Sequence, residues 1–415
     1  MFARFFTSRI CTRCFLRRRN LFTTATPHEQ TGPLDSGHVQ LTNRGLISLT
    51  GADSTAFLQG LITQNVIASK NRASLTTPFY AGFLNAQGRV LHDVFIYPNH
   101  DSESGLEYLI EVDREQVSNL LKHFKKHKLR SKLKFRSLEE EEKTIWAAWD
   151  NIGNLQTQRR LDPTKGVISC VDKRAPAFGY RVLSPSSDLR SVKDTLPGQE
   201  APLSSYVLRR ILHGIPEGQS EILRESSLPM DSNMDIMGGI DFHKGCYLGQ
   251  ELTIRTHHRG VIRKRILPVQ LYRIDDTRPP PVHSHLPTHL PDTNVSLPPA
   301  GANITKLSAS GRGRSAGKFI SGIGNVGLSI CRLETMTDIS LTGESSQYDP
   351  DEEYNISWEA DPSEGILEAG QVKVKAFAPS WVREYILNGG VRQRTTRDDV
   401  QRARDMVEKM EEYQQ

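Results

Sequence analysis

The stretch of the chain that most constrains its fold reads FHKGCYLGQELTIRTHHRG and spans residues 242–260. Gly245 and Gly249 bracket a Cys-Tyr pair, and the rest of the stretch has the pattern of a helix that ends at a glycine. Cys246 would then precede a helix N-terminus and lie two residues from Lys244, where the helix dipole and a cation both favour a thiolate. We therefore predict a functional thiol at Cys246; the alternative is an inert cysteine buried in a tight turn.

Three histidines lie close to this cysteine in the sequence, namely His243, His257 and His258. An acyl-transfer enzyme would need a base beside Cys246, but such partners meet only in the fold, so the sequence leaves that possibility open. An iron-sulfur cluster normally takes four thiolates, or a set that includes histidine. We expect no metal on this chain alone and a transient iron-sulfur cluster only with a partner that supplies further ligands.

The first 28 residues carry six arginines and no acid, with Phe, Ile, Leu, Ser and Thr between them. This composition predicts a mitochondrial transit peptide over residues 1–28; a basic nucleic-acid arm is the alternative. Without those arginines the 53 basic residues fall to 47 against 48 acidic ones, and the net charge falls from +5 to about −1. We therefore expect no nucleic-acid partner. The chain has no apolar run of about 18 residues, so no membrane insertion is expected.

Outward from the cysteine stretch, two apolar runs at residues 79–84 and 90–97 flank Asn-Ala-Gln-Gly, which predicts a β-hairpin with Gly88 at positive φ. A strand at 106–112 follows, and then a helix whose apolar residues begin at Val117. The other face of this helix is rich in Lys and His over residues 122–128. Such a face is typically solvated, although it could also contact an acidic ligand.

The chain divides into four predicted parts, of which the transit peptide, or leader, over residues 1–28 is the first. Residues 36–260 form a predicted α+β domain, residues 261–387 a small β-barrel, and residues 388–415 an amphipathic helical tail. Two disordered insertions are predicted inside the barrel. Residues 275–318 contain seven prolines, all between 279 and 299, and residues 337–364 contain nine acids and no base.

Residues 244–255 match the pattern K-G-C-[FY]-x-G-Q-E-x-x-x-R, and by this motif the chain resembles the YgfZ family, relatives of the glycine-cleavage T-protein. Collinear blocks support the resemblance: LTNRGLISLTGADSTAFLQGLITQNV at 41–66, AGFLNAQGRVLHD at 81–93 and RRILHGIPEG at 209–218. The motif residues are Lys244, Gly245, Cys246, Tyr247, Gly249, Gln250, Glu251 and Arg255. In this interpretation Lys244 and Arg255 set the local charge, the glycines allow a tight backbone path, and Gln250 and Glu251 hold the loop.

The resemblance implies a three-lobed α+β body, with ferredoxin-like subdomains around a central channel and a C-terminal β-barrel. It further implies tetrahydrofolate as a ligand, with Asp93 and Arg89 as candidate folate-binding residues. The implied role is late assembly of 4Fe-4S clusters in the mitochondrial matrix, with A-type scaffold proteins and 4Fe-4S apoproteins as partners. The family's assembly factors need not be enzymes.

A folate-dependent aminomethyltransferase is the alternative, and it would use Asp93 as a general acid or base. Two departures from the T-protein weaken this alternative. His92 stands where the T-protein usually has a second acid beside Asp93, and T-proteins lack the cysteine at the position of Cys246. A strand residue that only caps a turn is the structural alternative for Asp93.

Overall fold

The computed structural model of the protein describes residues 34–67, 75–102, 105–151, 166–276, 286–307 except 292 and 294, 315–341, and 348–387 except 364, 365 and 367. The predicted leader at 1–28 and the predicted helical tail at 388–415 lie outside the described residues. Within the described ranges, no helix is long and apolar enough to cross a bilayer.

The described chain contains sixteen strands and seven α-helices. The strands are β1 (Ser36–Gln40), β2 (Arg44–Thr50), β3 (Phe79–Leu84), β4 (Val90–Ser102), β5 (Gly105–Asp113), β6 (Lys134–Leu138), β7 (Lys143–Asp150), β8 (Ile168–Val171), β9 (Tyr180–Pro185), β10 (Gln199–Glu200), β11 (Lys264–Tyr272), β12 (Asn303–Lys306), β13 (Gly317–Ile323), β14 (Val326–Arg332), β15 (Tyr354–Trp358) and β16 (Gly370–Ala376). The helices are α1 (Ser54–Gln59), α2 (Val117–Lys128), α3 (Leu189–Thr195), α4 (Leu203–His213), α5 (Gln250–Arg259), α6 (Leu333–Met336) and α7 (Ser380–Leu387).

The first of two five-stranded sheets has the order β3-β4-β5-β2-β6. All of its pairings are antiparallel, and the predicted hairpin forms its β3–β4 edge. Helices α1 and α2 cover one face, where Phe57 and Phe83 both pack their rings against Phe124. The helical spacing of apolar residues that begins at Val117 thus predicted α2 correctly, and Gly88 has the expected positive φ of 76°.

The second sheet has the order β10-β1-β7-β9-β8 and shares a hydrophobic core with the first. Helix α4 joins this core through Tyr206 and ends at Gly214, whose φ of 72° stops the helix in the left-handed conformation. The opposite face of α4, with Leu208 and Ile211, packs on the barrel strands. Helix α4 therefore connects the two-sheet body to the C-terminal domain.

The C-terminal domain is a closed barrel of six strands, in the order β11-β14-β13-β12-β15-β16. The prediction that 275–318 and 337–364 are wholly disordered insertions is wrong, because β12 lies inside the first and β15 inside the second. These two strands pair with each other, and Ile304 and Ile356 face each other in register with no solvent exposure. The barrel cannot close without them. The mixed α+β class and the barrel are as predicted.

Candidate functional site

Cys246 lies at the surface, three residues before Gly249, which is the N-cap of α5. The other cysteines that the structure describes are less accessible, since Cys331 is buried and Cys170 is only partly exposed. Burial raises the pKa of the Cys170 thiol to about 12, so this thiol stays protonated at neutral pH. Of the described cysteines, Cys246 is the one that a partner molecule can reach directly.

Residues 242–249, which we call the cysteine loop, are attached to the body of the protein by the Lys244 side chain. Its Nζ donates hydrogen bonds to the carbonyl oxygens of Gln59, Ile62 and Gln64, at 2.9, 2.7 and 2.9 Å. All three ammonium protons are thereby used, and the side chain is only 4% exposed. Burial lowers the pKa of Lys244 to about 7, against the smaller opposing effect of Asp241. The prediction that Lys244 sets the charge around Cys246 is therefore wrong, because its ammonium group points into the protein and binds backbone.

The C-terminal side of the loop is held by hydrogen bonds that its backbone amides donate. The Leu248 amide donates to the Gly60 carbonyl at 3.0 Å, and the Tyr247 amide donates to Gln250 Oε1 at 3.1 Å. Gly249 has a φ of 80°, and a Cβ there would lie 2.2 Å from the carbonyl oxygen of Asn85 in the β3–β4 turn. The hairpin turn and the cysteine motif, two separate sequence signals, thus meet at Gly249. Gln250 holds the loop as expected.

Gly245 differs from Gly249, because a Cβ added to it would meet no atom within 4 Å and its φ lies outside the left-handed region. The prediction that both glycines are needed for a tight backbone path is thus correct for Gly249 and wrong for Gly245, where the fold does not require a glycine. Gly245 and Cys246 are both exposed, and so are Glu251 and Arg255 on the following helix. Arg255 stands one turn after Glu251, so both lie on the same side of α5.

The three neighbouring histidines do not form a catalytic pair with the thiol. The His257 ring stacks on Phe242, with ring centroids 3.5 Å apart, and burial lowers its pKa to about 4. His258 packs edge-on against His257, while the side chain of His243 is 75% exposed. Within the described residues, no side chain hydrogen-bonds to the Cys246 sulfur. No group of three or more His, Cys, Asp or Glu side chains there could hold a metal ion either.

Asp93 lies in β4, where its side chain is buried and contacts Arg44. One carboxyl oxygen accepts the Gly218 amide at 3.1 Å, and the other lies 3.6 Å from Arg44 Nη1. Burial raises the pKa of Asp93, and the nearby Arg44 opposes that rise. Arg89, the second candidate folate-binding residue, donates to the Ser226 carbonyl at 2.8 Å. Arg44 is thus the arginine that pairs with Asp93, and no motif or spacing in the sequence pointed to it.

Arg44 and Asp93 belong to a larger buried ion network between the two sheets. Its arginines are Arg44, Arg174, Arg181 and Arg210, and its carboxylates are Asp93, Glu111, Asp172, Glu217 and Glu221. Burial acts against the charged form of every member. The surrounding arginines nevertheless hold the pKa of Glu217 well below its ordinary value, whereas the pKa of Asp93 is raised. A proton entering this network therefore binds Asp93 before Glu217.

Several buried polar atoms of this network have no hydrogen-bond partner in the described part of the chain. They include Arg44 Nη1, Asp93 Oδ2, Glu217 Oε1 and the nearby Tyr80 hydroxyl. Unpartnered buried polar atoms are costly, and a ligand with matching donors and acceptors could satisfy them. A cavity of about 230 Å³ borders Arg44. Pockets for drug-sized ligands typically measure about 300–1,000 Å³. The cavity is therefore smaller than a typical ligand pocket, and Arg44 is the one network residue that lines it.

Comparison with known proteins gives close relatives along nearly the whole chain. Over 414 residues the chain is 65% identical to the iron-sulfur cluster assembly factor IBA57 homolog, mitochondrial, of Coccidioides immitis, which covers 97% of each protein. The protein of the same name from Aspergillus oryzae is 49% identical and covers 97% of this chain and 96% of that protein. The model of the CAF17 C-terminal beta-barrel domain matches residues 263–384.

Among solved structures, the glycine cleavage system aminomethyltransferase T from Bartonella henselae has a similar fold, with a TM-score of 0.55. The match covers 85% of this chain and 87% of that chain at 12% sequence identity. At this level of identity, the similarity concerns the fold alone.

Proposed function

The chain belongs to the IBA57 family of mitochondrial iron-sulfur cluster assembly factors, and from this membership we propose that it assists cluster assembly through the Cys246 thiol. The observation that carries the proposal is the placement of Cys246: an exposed thiol on a loop that Lys244 and Gly249 fix to the body. A fixed, accessible thiolate can serve as one ligand of a cluster.

One thiolate cannot complete the ligand set of an iron-sulfur cluster. The described residues form no group of three or more potential metal ligands, and we propose that a partner supplies the remaining ligands. We assign this role to A-type scaffold proteins, which would hold the cluster jointly with Cys246 before its transfer to an apoprotein. The cluster is the cargo of the reaction, and the chain needs no resident metal.

The targets would be 4Fe-4S proteins of the mitochondrial matrix, such as aconitase and the lipoate and biotin synthases. The test is depletion of the protein in cells, followed by parallel assays of 4Fe-4S enzymes, 2Fe-2S enzymes and glycine cleavage. We expect selective loss of the 4Fe-4S activities, restored by re-expression of the parent chain. An equal loss of 2Fe-2S activities, or a loss confined to the aminomethyl-transfer step of glycine cleavage, would contradict the proposal.

Tetrahydrofolate is the proposed small-molecule ligand, and the buried network has the chemistry to hold it. The amino and ring N–H groups of a pterin donate hydrogen bonds. Asp93 Oδ2 and Glu217 Oε1 accept no hydrogen bond within the described residues, although each lies within ion-pair distance of an arginine. The bound folate would supply a carrier for one-carbon units. The direct test is calorimetric titration of the protein with tetrahydrofolate. We expect the parent chain to bind tetrahydrofolate, and we expect the Asp93→Asn variant to bind it more weakly while keeping the parental melting temperature. Absence of binding to the parent chain would refute the folate proposal.

The alternative is a folate-dependent aminomethyltransferase. That activity needs Asp93 free to exchange a proton with the substrate, but its carboxyl is bound by the Gly218 amide and paired with Arg44. We therefore favour the assembly role. Tetrahydrofolate-dependent turnover of an aminomethyl donor by the purified protein, abolished by Asp93→Asn, would reverse this preference.

A further inference from the structure

A strongly basic surface lies on the first sheet and has no role in the proposed chemistry. Residues 122–136 have the sequence KHFKKHKLRSKLKFR. They contain eight lysines and arginines in all, and no acid. They span the second half of α2, the turn after it and most of β6. We call these residues the basic turn. The acids that follow it, at 139–142, are partly occupied, since Glu140 pairs with Arg114 and Glu142 with Arg136.

Most cations of the basic turn are available to a partner. Six of them are exposed and, within the described residues, form no ion pair: Lys122, Lys125, Lys126, Arg130, Lys132 and Lys134. The Lys128 ammonium lies over the Phe135 ring at 5.9 Å from its centroid. On a chain that is nearly neutral outside its leader, this clustering of positive charge is local and intense.

Leu129 protrudes from the middle of the basic turn. It is 88% exposed, the highest value among the exposed large apolar residues in the described chain. Its φ of 45° and ψ of −115° place it at the first central position of a tight turn, which the Ser131 amide closes onto the Lys128 carbonyl at 2.8 Å. Glycine adopts this conformation without steric cost and is the residue normally found there. Neither packing nor backbone geometry therefore explains a leucine at 129.

We propose that the basic turn docks on an anionic phospholipid bilayer, with the lysines facing the headgroups and Leu129 entering the interface. Lysine side chains form mobile point charges that suit a fluid layer of phosphates, and an exposed aliphatic residue among them gains by entering the acyl boundary. Sequence-specific or single-strand nucleic-acid binding adds arginine forks or stacked aromatic rings. Here five of the six available cations are lysines, and both phenylalanines of the basic turn pack in the core of the first sheet. The turn is also held firmly, because Asp53 Oδ2 accepts the Lys132 amide at 2.6 Å.

The test is sedimentation of the protein with vesicles of phosphatidylcholine alone and of phosphatidylcholine mixed with cardiolipin. The protein is isolated from mitochondria, so that any processing of residues 1–28 has already taken place. We expect association with the cardiolipin vesicles only, and we expect this association to weaken with rising salt.

Leu129→Gly separates the proposed role from a structural one. The substitution should lower vesicle association about tenfold, through the lost apolar contact, while the melting temperature stays the same or rises. Lys125→Gln with Lys126→Gln should lower association about fivefold for each charge removed. The matched control, Lys173→Gln with Lys318→Gln, removes two exposed lysines elsewhere and should bind as the parent does.

Three results would overturn the proposal. The first is equal binding to both kinds of vesicle. The second is no binding to either. The third is unchanged vesicle binding in Leu129→Gly and in the double lysine variant. A further outcome would assign the basic turn to protein docking. In it, neither the parent nor the double lysine variant binds vesicles, and a purified acidic protein binds the parent but not the variant. The lipid assignment would then fail.

Discussion

Replacement of Lys244 by methionine tests the attachment of the cysteine loop. The parent side chain donates three hydrogen bonds, with lengths of 2.7–2.9 Å, to carbonyls at the end of α1 and in the segment that follows it. Methionine has a similar length and fills much of the same space, but it donates none of these bonds. The variant therefore removes the polar attachment and keeps most of the packing.

The expected loss follows from these bonds. A hydrogen bond to a charged group contributes about 1.5–3 kcal/mol, and one between neutral groups about 1 kcal/mol. Burial penalises the Lys244 ammonium, as its lowered pKa of about 7 indicates, so the lower value applies to each bond. Three bonds at about 1 kcal/mol each predict a loss of about 3 kcal/mol in the free energy of unfolding.

Urea denaturation measures this loss, and hydrogen exchange followed by mass spectrometry locates it. We expect faster exchange over residues 59–66 and 242–249, with the barrel strands unchanged. Lys318→Met, at an exposed position, is the matched control and should change stability by less than about 0.5 kcal/mol. A Lys244→Met variant with parental stability and parental exchange in the cysteine loop would refute the reasoning.

Three further predictions concern other parts of the fold. Gly249→Ala should cost at least about 2 kcal/mol in urea denaturation, because its Cβ would lie 2.2 Å from a carbonyl oxygen at a φ of 80°, whereas Gly245→Ala should be neutral. Equal effects of the two substitutions would be inconsistent with this geometry. The Asp93→Asn variant should melt at or above the melting temperature of the parent at pH 7, and this difference in melting temperature should shrink toward pH 4. A difference that grows as the pH falls would contradict the raised pKa of Asp93. Ile304→Ala should cost about 3 kcal/mol if β12 closes the barrel, and no loss would place it outside the core.

The sign of the Asp93 prediction follows from proton linkage. Because burial raises the pKa of Asp93 in the folded state, the folded protein binds this proton more tightly than the unfolded chain does. The contribution of Asp93 to stability is thus greatest below the ordinary aspartate pKa and falls as the pH rises through the raised value. Asparagine does not titrate, so the variant avoids that fall.

Local patterns in the sequence predicted local structure well. The Asn-Ala-Gln-Gly turn, the spacing of apolar residues in α2 and the glycine at 249 are each set by neighbouring residues, and each occurs as predicted. The direction in which a charged side chain points is not a local property. Lys244 lies two residues from the thiol in sequence, but its ammonium binds carbonyls about 180 residues away.

The buried network could not be predicted for the same reason. Arg44, Glu111, Arg181 and Glu217 come from distant parts of the chain, and no spacing rule connects them. Composition misled the prediction at the barrel, where prolines and acids surround β12 and β15 and hide two short runs with buried isoleucines. A two-residue alternation around Ile304 and around Ile356 was the available signal.

The central claim is that Cys246 is the functional thiol of this chain. Its most direct test is aconitase activity in cells whose own protein is replaced by Cys246→Ser at matched abundance. Replacement by Cys170→Ser, which alters a thiol with a pKa of about 12, is the control. The account predicts that Cys246→Ser fails to restore aconitase activity while Cys170→Ser restores it. Full restoration by Cys246→Ser would contradict the account and reduce Cys246 to a structural residue.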